Sequence, residues 1–251
     1  MSDADTPAAM PSPPALERLL GEGRVALFLD FDGTLVELAP TPDSIEVAPD
    51  LATRLGALAR RLGGACAIVS GRGLDDIARH LGTTLPAAGA GSHGSDIRSA
   101  AGQPVGPAPS PVPPEIAQAM RDHAVREGLD YETKPHGAAL HFRKNPAKGP
   151  AAIAFAHDLA ARHGWAAQDG KAVVEVVAGH TGKGHAVRAL MATEPFAGAR
   201  PLFIGDDLTD ENGFSAVAEL GGAGVLVGDR TPSAAHFALP DVASVHRWLG
   251  L

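Results

Sequence analysis

Four times along this chain a short, wholly apolar run stops abruptly at carboxylates or hydroxyls, and that pattern restricts the fold more than any other feature. Val25-Ala26-Leu27-Phe28-Leu29 halts at Asp30-Phe31-Asp32-Gly33-Thr34. Ala65 to Val69 precedes Ser70-Gly71-Arg72, Pro201 to Ile204 precedes Gly205-Asp206-Asp207, and Gly224 to Val227 precedes Gly228-Asp229. A short run with no polar alternation reads as a strand covered on both faces, as in a parallel sheet clad by helices. Helical periodicity falls between the runs, at 50–62, 73–81, 184–193 and 210–219. Strands alternating with helices predict an α/β core built on a doubly wound parallel sheet of Rossmann-like layout.

The alternation breaks in the middle. Ala100 to Pro114 carries Pro104, Pro107, Pro109, Pro111, Pro113 and Pro114 and is expected to be an extended linker. A helical stretch at 114–127 then leads to strands at 129–134 and 137–143, a helix at 150–163, and strands at 165–168 and 171–177. Two successive α-β-β units predict a small inserted α+β domain, a cap, with the chain returning to the core near Gly179. The expected organisation is a tail with a short helix over 1–23, a core of 24–108 plus 179–251, and a cap of 109–178. Within the tail, residues 1–13 are rich in Ala, Pro and Ser and expected to be disordered, and the helix begins at Pro14.

Composition narrows the function. The 29 acidic residues against 21 basic ones give a net charge of −8. Binding to long nucleic acids needs a basic face, so that class is excluded, and any anionic ligand must meet locally gathered positive charge. The single cysteine, Cys66, lies in an apolar run and reads as a buried small hydrophobe. No apolar run approaches the ~18 residues of a membrane span, and the first residues have no basic leader, so the expectation is a cytoplasmic protein without membrane contact.

Loops leaving the carboxyl ends of parallel strands converge on one edge of the sheet, where ligands bind. Asp30 and Asp32 stand two apart on such a loop, and Gly33-Thr34 allows a sharp turn that presents N–H groups to an anion. Ser70 brings a hydroxyl from a second strand end, Asp206 and Asp207 come from a third, and Lys183 sits near a helix start. Crowded carboxylates repel unless a cation lies among them, and oxygen-only ligands point to a hard ion, Mg²⁺. An aspartate can be the nucleophile in phosphoryl transfer while a second carboxylate protonates the leaving oxygen and then activates water. Each motif alone reads more readily as a turn or a helix cap; together they describe one chemistry.

These residues, with Gly205-Asp206-Asp207-Leu208-Thr209-Asp210-Glu211, resemble the haloacid dehalogenase-like (HAD) phosphatases over about residues 24–250. The resemblance implies Asp30 as nucleophile, Asp32 as general acid and base, and Ser70 and Lys183 on the phosphate. It implies Mg²⁺ held by Asp30, the backbone carbonyl of Asp32, Asp206 and waters, with Asp207 and Asp210 as further ligands or as groups orienting them. Gly33 and Arg72 are carried over as substrate-contacting positions.

Within that superfamily the insert resembles the trehalose-6-phosphate phosphatases, through Glu132-Thr133-Lys134, Ala139-Leu140-His141-Phe142-Arg143 and Lys171-Ala172-Val173-Val174-Glu175. Glu132 and Lys134 share one strand face. The resemblance implies Glu132, Lys134 and Glu175 on sugar hydroxyls, Arg143 and Lys171 toward the phosphate, and His93, in Gly91-Ser92-His93-Gly94, on a core loop facing the cap. The sequence departs from the family at Thr181-Gly182, where Asp or Asn often precedes the lysine, and at Val177-Ala178, where Arg-Pro is usual. The implied partner is a small sugar phosphate; a monomer is expected, and functional coupling to a trehalose-6-phosphate synthase is the one macromolecular link the resemblance suggests. A phosphatase for sucrose phosphate or mannosyl-3-phosphoglycerate, and a sugar-phosphate-binding module without turnover, are the alternatives.

Overall fold

The computed structural model describes residues 10–106, 111–134, 136–170, 172–177 and 182–251, with Pro42 described through its backbone alone. Along the chain the regular elements are α1 (Leu16–Glu22), β1 (Val25–Leu29), α2 (Leu51–Arg61), β2 (Cys66–Val69), α3 (Leu74–Leu81), β3 (Ala88–Gly91) and β4 (Asp96–Arg98). The insert follows with α4 (Pro114–Glu127), β5 (Asp130–Lys134), β6 (Gly137–His141), α5 (Gly149–His163), β7 (Ala166–Gly170) and β8 (Val173–Val177). The chain closes with α6 (Lys183–Met191), β9 (Arg200–Gly205), α7 (Glu211–Glu219), β10 (Ala223–Val227), β11 (Phe237–Leu239) and α8 (Val242–Leu249).

Every residue of β1 is buried, as its unbroken apolar run requires. Its alternate side chains serve two cores: Val25, Leu27 and Leu29 pack toward α1, α2, α3 and α8, while Ala26 and Phe28 pack toward α6 and α7. This two-sided burial sets β1 at the centre of a seven-stranded sheet of order β11-β10-β9-β1-β2-β3-β4. All neighbouring pairs are parallel except β3 with β4, which is antiparallel. The carboxyl ends of β1, β2 and β9 therefore lie side by side, which brings Asp30, Ser70 and Asp206 to one edge. Cys66 is buried in β2, and burial pushes its thiol up to about 12.

The insert forms a separate four-stranded antiparallel sheet, β5-β6-β8-β7. Tyr131, Ala138, Leu140, Val174 and Val176 face α4 and α5 in a core of their own. Register places Glu132, Ala139, Glu175 and Gln168 in one row across the four strands. Because side chains alternate between faces, that row lies on the side away from the helices, so the cap shows a polar face to the core. The architecture is thus an α/β core with an inserted α+β cap.

Several expectations need correction. Residues 10–13 are not a free tail: Pro13 is buried, and the Pro11 carbonyl accepts from Ala238 N (3.0 Å), covering the outer edge of β11. The helix begins at Leu16 rather than Pro14. The first part of the Pro-rich stretch is not a linker, because Val105 N donates to Ile97 O (2.8 Å) and Ser99 N to Gln103 O (2.8 Å), folding the chain back on β4. The last two cap strands run 166–170 and 173–177 instead of 165–168 and 171–177. β3, β4, β11 and α8 were not expected: β3 is Ala-Gly-Ala-Gly, without a hydrophobic signature, and β4 and β11 are three residues each. Lys171, Thr181, the return near Gly179 and the linker at 107–110 lie outside the described residues. No described helix is long and apolar enough to cross a membrane.

Candidate active site

Asp30 is the first residue beyond β1 and is 4% exposed. Its Oδ1 accepts from Lys183 Nζ at 2.7 Å, and the same ammonium donates to Asp210 Oδ1 at 2.5 Å. Lys183 opens α6, and Asp210, fully buried, ends the short 3₁₀ turn Leu208–Asp210 after β9. The other Asp210 oxygen accepts from Asp207 N (2.9 Å), while Asp207 Oδ1 accepts from Leu208 N (2.7 Å), so the Gly-Asp-Asp loop is tied to itself. Below it, Glu211 pairs with Arg230 and accepts from Ala234 N (2.6 Å), bracing the loop after β10.

Ligand oxygens of Asp30, Asp206 and Asp210 lie within 4.8 Å of one another. Three carboxylates face one ammonium, leaving an excess of negative charge in a poorly solvated place. Burial, with Asp210 and Asp206 nearby, raises the Asp30 carboxyl well above its ordinary range against the pull of Lys183. Burial followed by Asp210 and Asp207 pushes Asp206 up to about 7. Burial alone would lower the Lys183 ammonium, but Asp210 and Asp30 more than reverse it and keep the lysine charged. Asp206 Oδ1 is buried without a hydrogen-bond partner among the described residues. A divalent cation would balance this surplus and satisfy that oxygen, so the donor set fits a hard ion.

Gly33 makes this packing possible. Its φ is +78°, and a Cβ built there would lie 2.3 Å from Asp206 Oδ2. Ser70 is buried at the end of β2, its Oγ accepting from Arg72 N (3.1 Å) and its carbonyl from His93 N (3.0 Å). Asp32 stands apart from the carboxylate cluster in one respect: both of its oxygens accept from Arg72, at 2.7 Å each.

The cap meets the core through Glu175. This carboxylate is 5% exposed, pairs with Lys134 of the same sheet, and lies 3.3 Å from His93 Nε2 of the core. Burial would raise the Glu175 carboxyl, but Lys134 and then His93 hold it far below its usual range. Ser92 and His93 both carry positive φ (47° and 53°), a strained conformation for side-chain-bearing residues, and the imidazole rests where a Cβ on Gly71 would stand. Glu132 accepts or shares a proton with His141 Nε2 at 2.8 Å on the same cap face. Arg143 donates to the Pro40 carbonyl (2.6 Å) on the loop after β1.

The geometry brings Asp30, Lys183, Asp206 and Asp210 together, and separately joins Glu175, Lys134 and His93. Sequence reasoning missed Asp76, which holds the far side of Arg72, although its position four residues after Arg72 at the start of α3 was a usable signal. It also missed His141 as the partner of Glu132, and Arg230 as the brace of Glu211.

A doubly wound sheet with an acidic cluster at its central strand ends, faced by an inserted α+β sheet, defines a Rossmann-like α/β core with a cap. A family model described as trehalose-phosphatase matches residues 28–243. Two curated relatives are similar over most of their length. A probable trehalose-phosphate phosphatase of Sinorhizobium fredii is 39% identical over 211 residues, covering 83% of this chain and 79% of that protein. Trehalose-6-phosphate phosphatase of Escherichia coli is 36% identical over 234 residues, covering 90% and 85%. The C-terminal domain of the C. albicans trehalose-6-phosphate phosphatase shares the fold, with a TM-score of 0.81 at 22% identity over 98% of both chains. The chain therefore belongs to the trehalose-phosphatase family, whose members are phosphoric monoester hydrolases.

Proposed function

We propose that this protein hydrolyses trehalose 6-phosphate to trehalose and phosphate, with Mg²⁺ as cofactor and through phosphoryl transfer to Asp30. The observation that carries the reading is the buried Asp30 carboxylate, held by Lys183 beside Asp206 and Asp210, in a core whose His93 meets Glu175 of the cap's polar row. In this reading residues 109–178 are the cap, 24–108 with 179–251 the catalytic core, and 1–23 an N-terminal extension.

Asp30, the Asp32 carbonyl and Asp206 would hold the ion, with Asp210 turned to Lys183 and the Asp207 amide to orient the site. When bound, Mg²⁺ supplies countercharge to the carboxylates and to the phosphoryl oxygens. In the first step an Asp30 oxygen attacks phosphorus in line with the sugar oxygen. The P–O(sugar) bond breaks, and the leaving oxygen takes a proton from Asp32. In the second step Asp32 removes a proton from water, whose oxygen attacks phosphorus, releasing phosphate and restoring Asp30. Lys183, Ser70 and the backbone N–H groups of the Asp30 loop oppose the phosphoryl charge in both steps. Glu132, Lys134 and Glu175 receive the sugar hydroxyls. Their present partners are one another, His141 and His93, so substrate hydroxyls exchange with hydrogen bonds already made.

Phosphate release from a few dozen sugar phosphates, with and without Mg²⁺, tests the substrate and the ion together. Trehalose 6-phosphate should lead the panel and require the metal. A preference for sucrose phosphate or mannosyl-3-phosphoglycerate would reassign the cap, and no release from any substrate would leave only a binding module. Asp30→Asn should fold normally and lose turnover, because an amide is a poor nucleophile. More than a few per cent of wild-type activity in that variant would end the covalent mechanism.

A further inference from the structure

We propose that Arg72 is the positioning residue for Asp32, a fork that fixes the carboxylate which gives a proton to the leaving oxygen and takes one from water. The inference rests on the roles of Asp30 and Asp32 given above. Sequence reading placed Arg72 on the substrate, but three of its guanidinium nitrogens face elsewhere. Nε donates to Asp32 Oδ2 and Nη2 to Asp32 Oδ1, both at 2.7 Å, the paired geometry that a planar guanidinium makes with a carboxylate. Nη1 donates to Asp76 Oδ2 at 2.9 Å and lies 3.4 Å from His80 Nε2. Asp76 is in turn held by Arg79 through its other oxygen.

The result is a chain of fixed groups rather than one contact. The Arg72 side chain is 10% exposed against 28% for Asp32, so the fork is the buried, anchored partner and Asp32 the one open to the cleft. The backbone around the fork is set as well: Arg72 N donates to Ser70 Oγ (3.1 Å), and the Arg72 carbonyl accepts from Ser92 N (2.8 Å). Asp32 is thereby indexed to the hydroxyl expected on the phosphate and to the loop that carries His93. A carboxylate on a flexible turn has several rotamers, whereas proton transfer needs an approach within hydrogen-bond reach. Each carboxylate oxygen keeps a second lone pair beyond the one the fork occupies, and the proton that Asp32 gives to the sugar oxygen or takes from water is carried there, so the fork orients the carboxyl without closing it. Lysine cannot replace this function, because a single ammonium carries charge without a second, coplanar donor.

The test uses the full chain with Mg²⁺ and two substrates that differ in leaving group. Trehalose 6-phosphate expels an alkoxide that needs a proton; 2,4-dinitrophenyl phosphate expels a phenolate that does not. Arg72→Ala and Arg72→Lys should both lower kcat for trehalose 6-phosphate about 100-fold, at the lower end of what general acid–base catalysis contributes, with KM changed less than about 3-fold. With the aryl ester, the stopped-flow burst of dinitrophenolate should keep a near-wild-type rate constant, while the slow phase, which needs Asp32 as base, falls as in Asp32→Asn. Raised KM and weaker inhibition by inorganic phosphate at unchanged kcat would make Arg72 a substrate ligand and overturn the proposal. Wild-type behaviour in Arg72→Lys, higher kcat in Arg72→Ala, or a burst slowed as much as the slow phase would overturn it too. Should circular dichroism show Arg72→Ala misfolded, Asp76→Asn, which leaves the fork and loosens its anchor, should show the same split at about 3- to 10-fold; no split there sinks the idea. Turnover retained in Asp30→Asn would instead indict the covalent reading.

Discussion

Replacing Gly33 by alanine isolates the dependence of the active site on one missing methyl group. Gly33 has φ +78°, and its amide donates to the Val36 carbonyl at 2.7 Å, which closes the turn after Asp32. A Cβ there would lie 2.3 Å from Asp206 Oδ2 and 2.4 Å from Asp206 Cγ. Ordinary carbon contacts are about 3.5–4.0 Å, so the carboxylate must withdraw by about 1 Å. Two penalties follow. The left-handed backbone costs a side-chain-bearing residue about 1–2 kcal/mol, which for a chain of this size lowers Tm by about 2–8 °C. On the proposed mechanism the displaced Asp206 would no longer meet the metal as before, and a 1 Å misplacement near the reacting centre costs about 100-fold in rate. Gly82→Ala is the control, since Gly82 also has positive φ (+68°) but nothing among the described residues stands within 4 Å of its Cβ position. Melting curves and phosphate release over a Mg²⁺ series should show a similar fall in Tm for both variants. Only Gly33→Ala should lose kcat about 100-fold and need more Mg²⁺ for half-saturation. If the two variants melt and turn over alike, the close approach of Gly33 to Asp206 has no part in building the metal site.

Glu132→Ala should lower kcat/KM for trehalose 6-phosphate about 10- to 100-fold, the worth of one hydrogen bond to a charged group, and change an aryl phosphate only a few-fold. Equal loss with both substrates would mean that this strand does not read the sugar. Chelation should stop catalysis reversibly and excess Ca²⁺ should inhibit, because Ca²⁺ adopts looser and higher coordination than Mg²⁺; full rate in chelator refutes the metal. His123 stacks on Phe155 at 3.8 Å between α4 and α5, and burial followed by Arg126 holds its imidazole below the usual value. Its contribution to stability is complete above the unfolded pKa near 6.5 and is lost as pH falls toward the lower folded value, since the unfolded chain takes the proton first. His123→Phe should therefore lose less Tm than wild type between about pH 7.5 and 5; parallel losses would show that this ring does not sense acid.

Most of the sheet and the ends of its chemistry are legible without coordinates. An unbroken apolar pentapeptide such as Val25–Leu29, recurring between helical patterns, reads as a strand covered by two helical layers, and the first polar residue after it then emerges at the carboxyl edge. Asp30, Ser70 and Asp206 were readable for that reason, and the cap was readable from its repeated helix–strand–strand pattern. The strand Ala88–Gly91 was not, because its identity depends on its neighbours. A Cβ on Gly91 would stand 2.7 Å from Leu74 N, so the small residues there answer to the close approach of α3, which no local period reveals.

The partnerships of the charged groups were decided by tertiary structure alone. Lys183 reaches Asp30 across 153 positions and Arg72 reaches Asp32 across 40, and each pairing exists because the strand order sets β9, β1 and β2 side by side. His93 joins the Glu175–Lys134 pair of the cap sheet only when the cap's polar face lies over the core. Residue type and spacing determine which groups can be ionised, paired or placed at a strand end. Which partner each one meets is a property of packing between distant segments, and that is where a buried charge finds its countercharge.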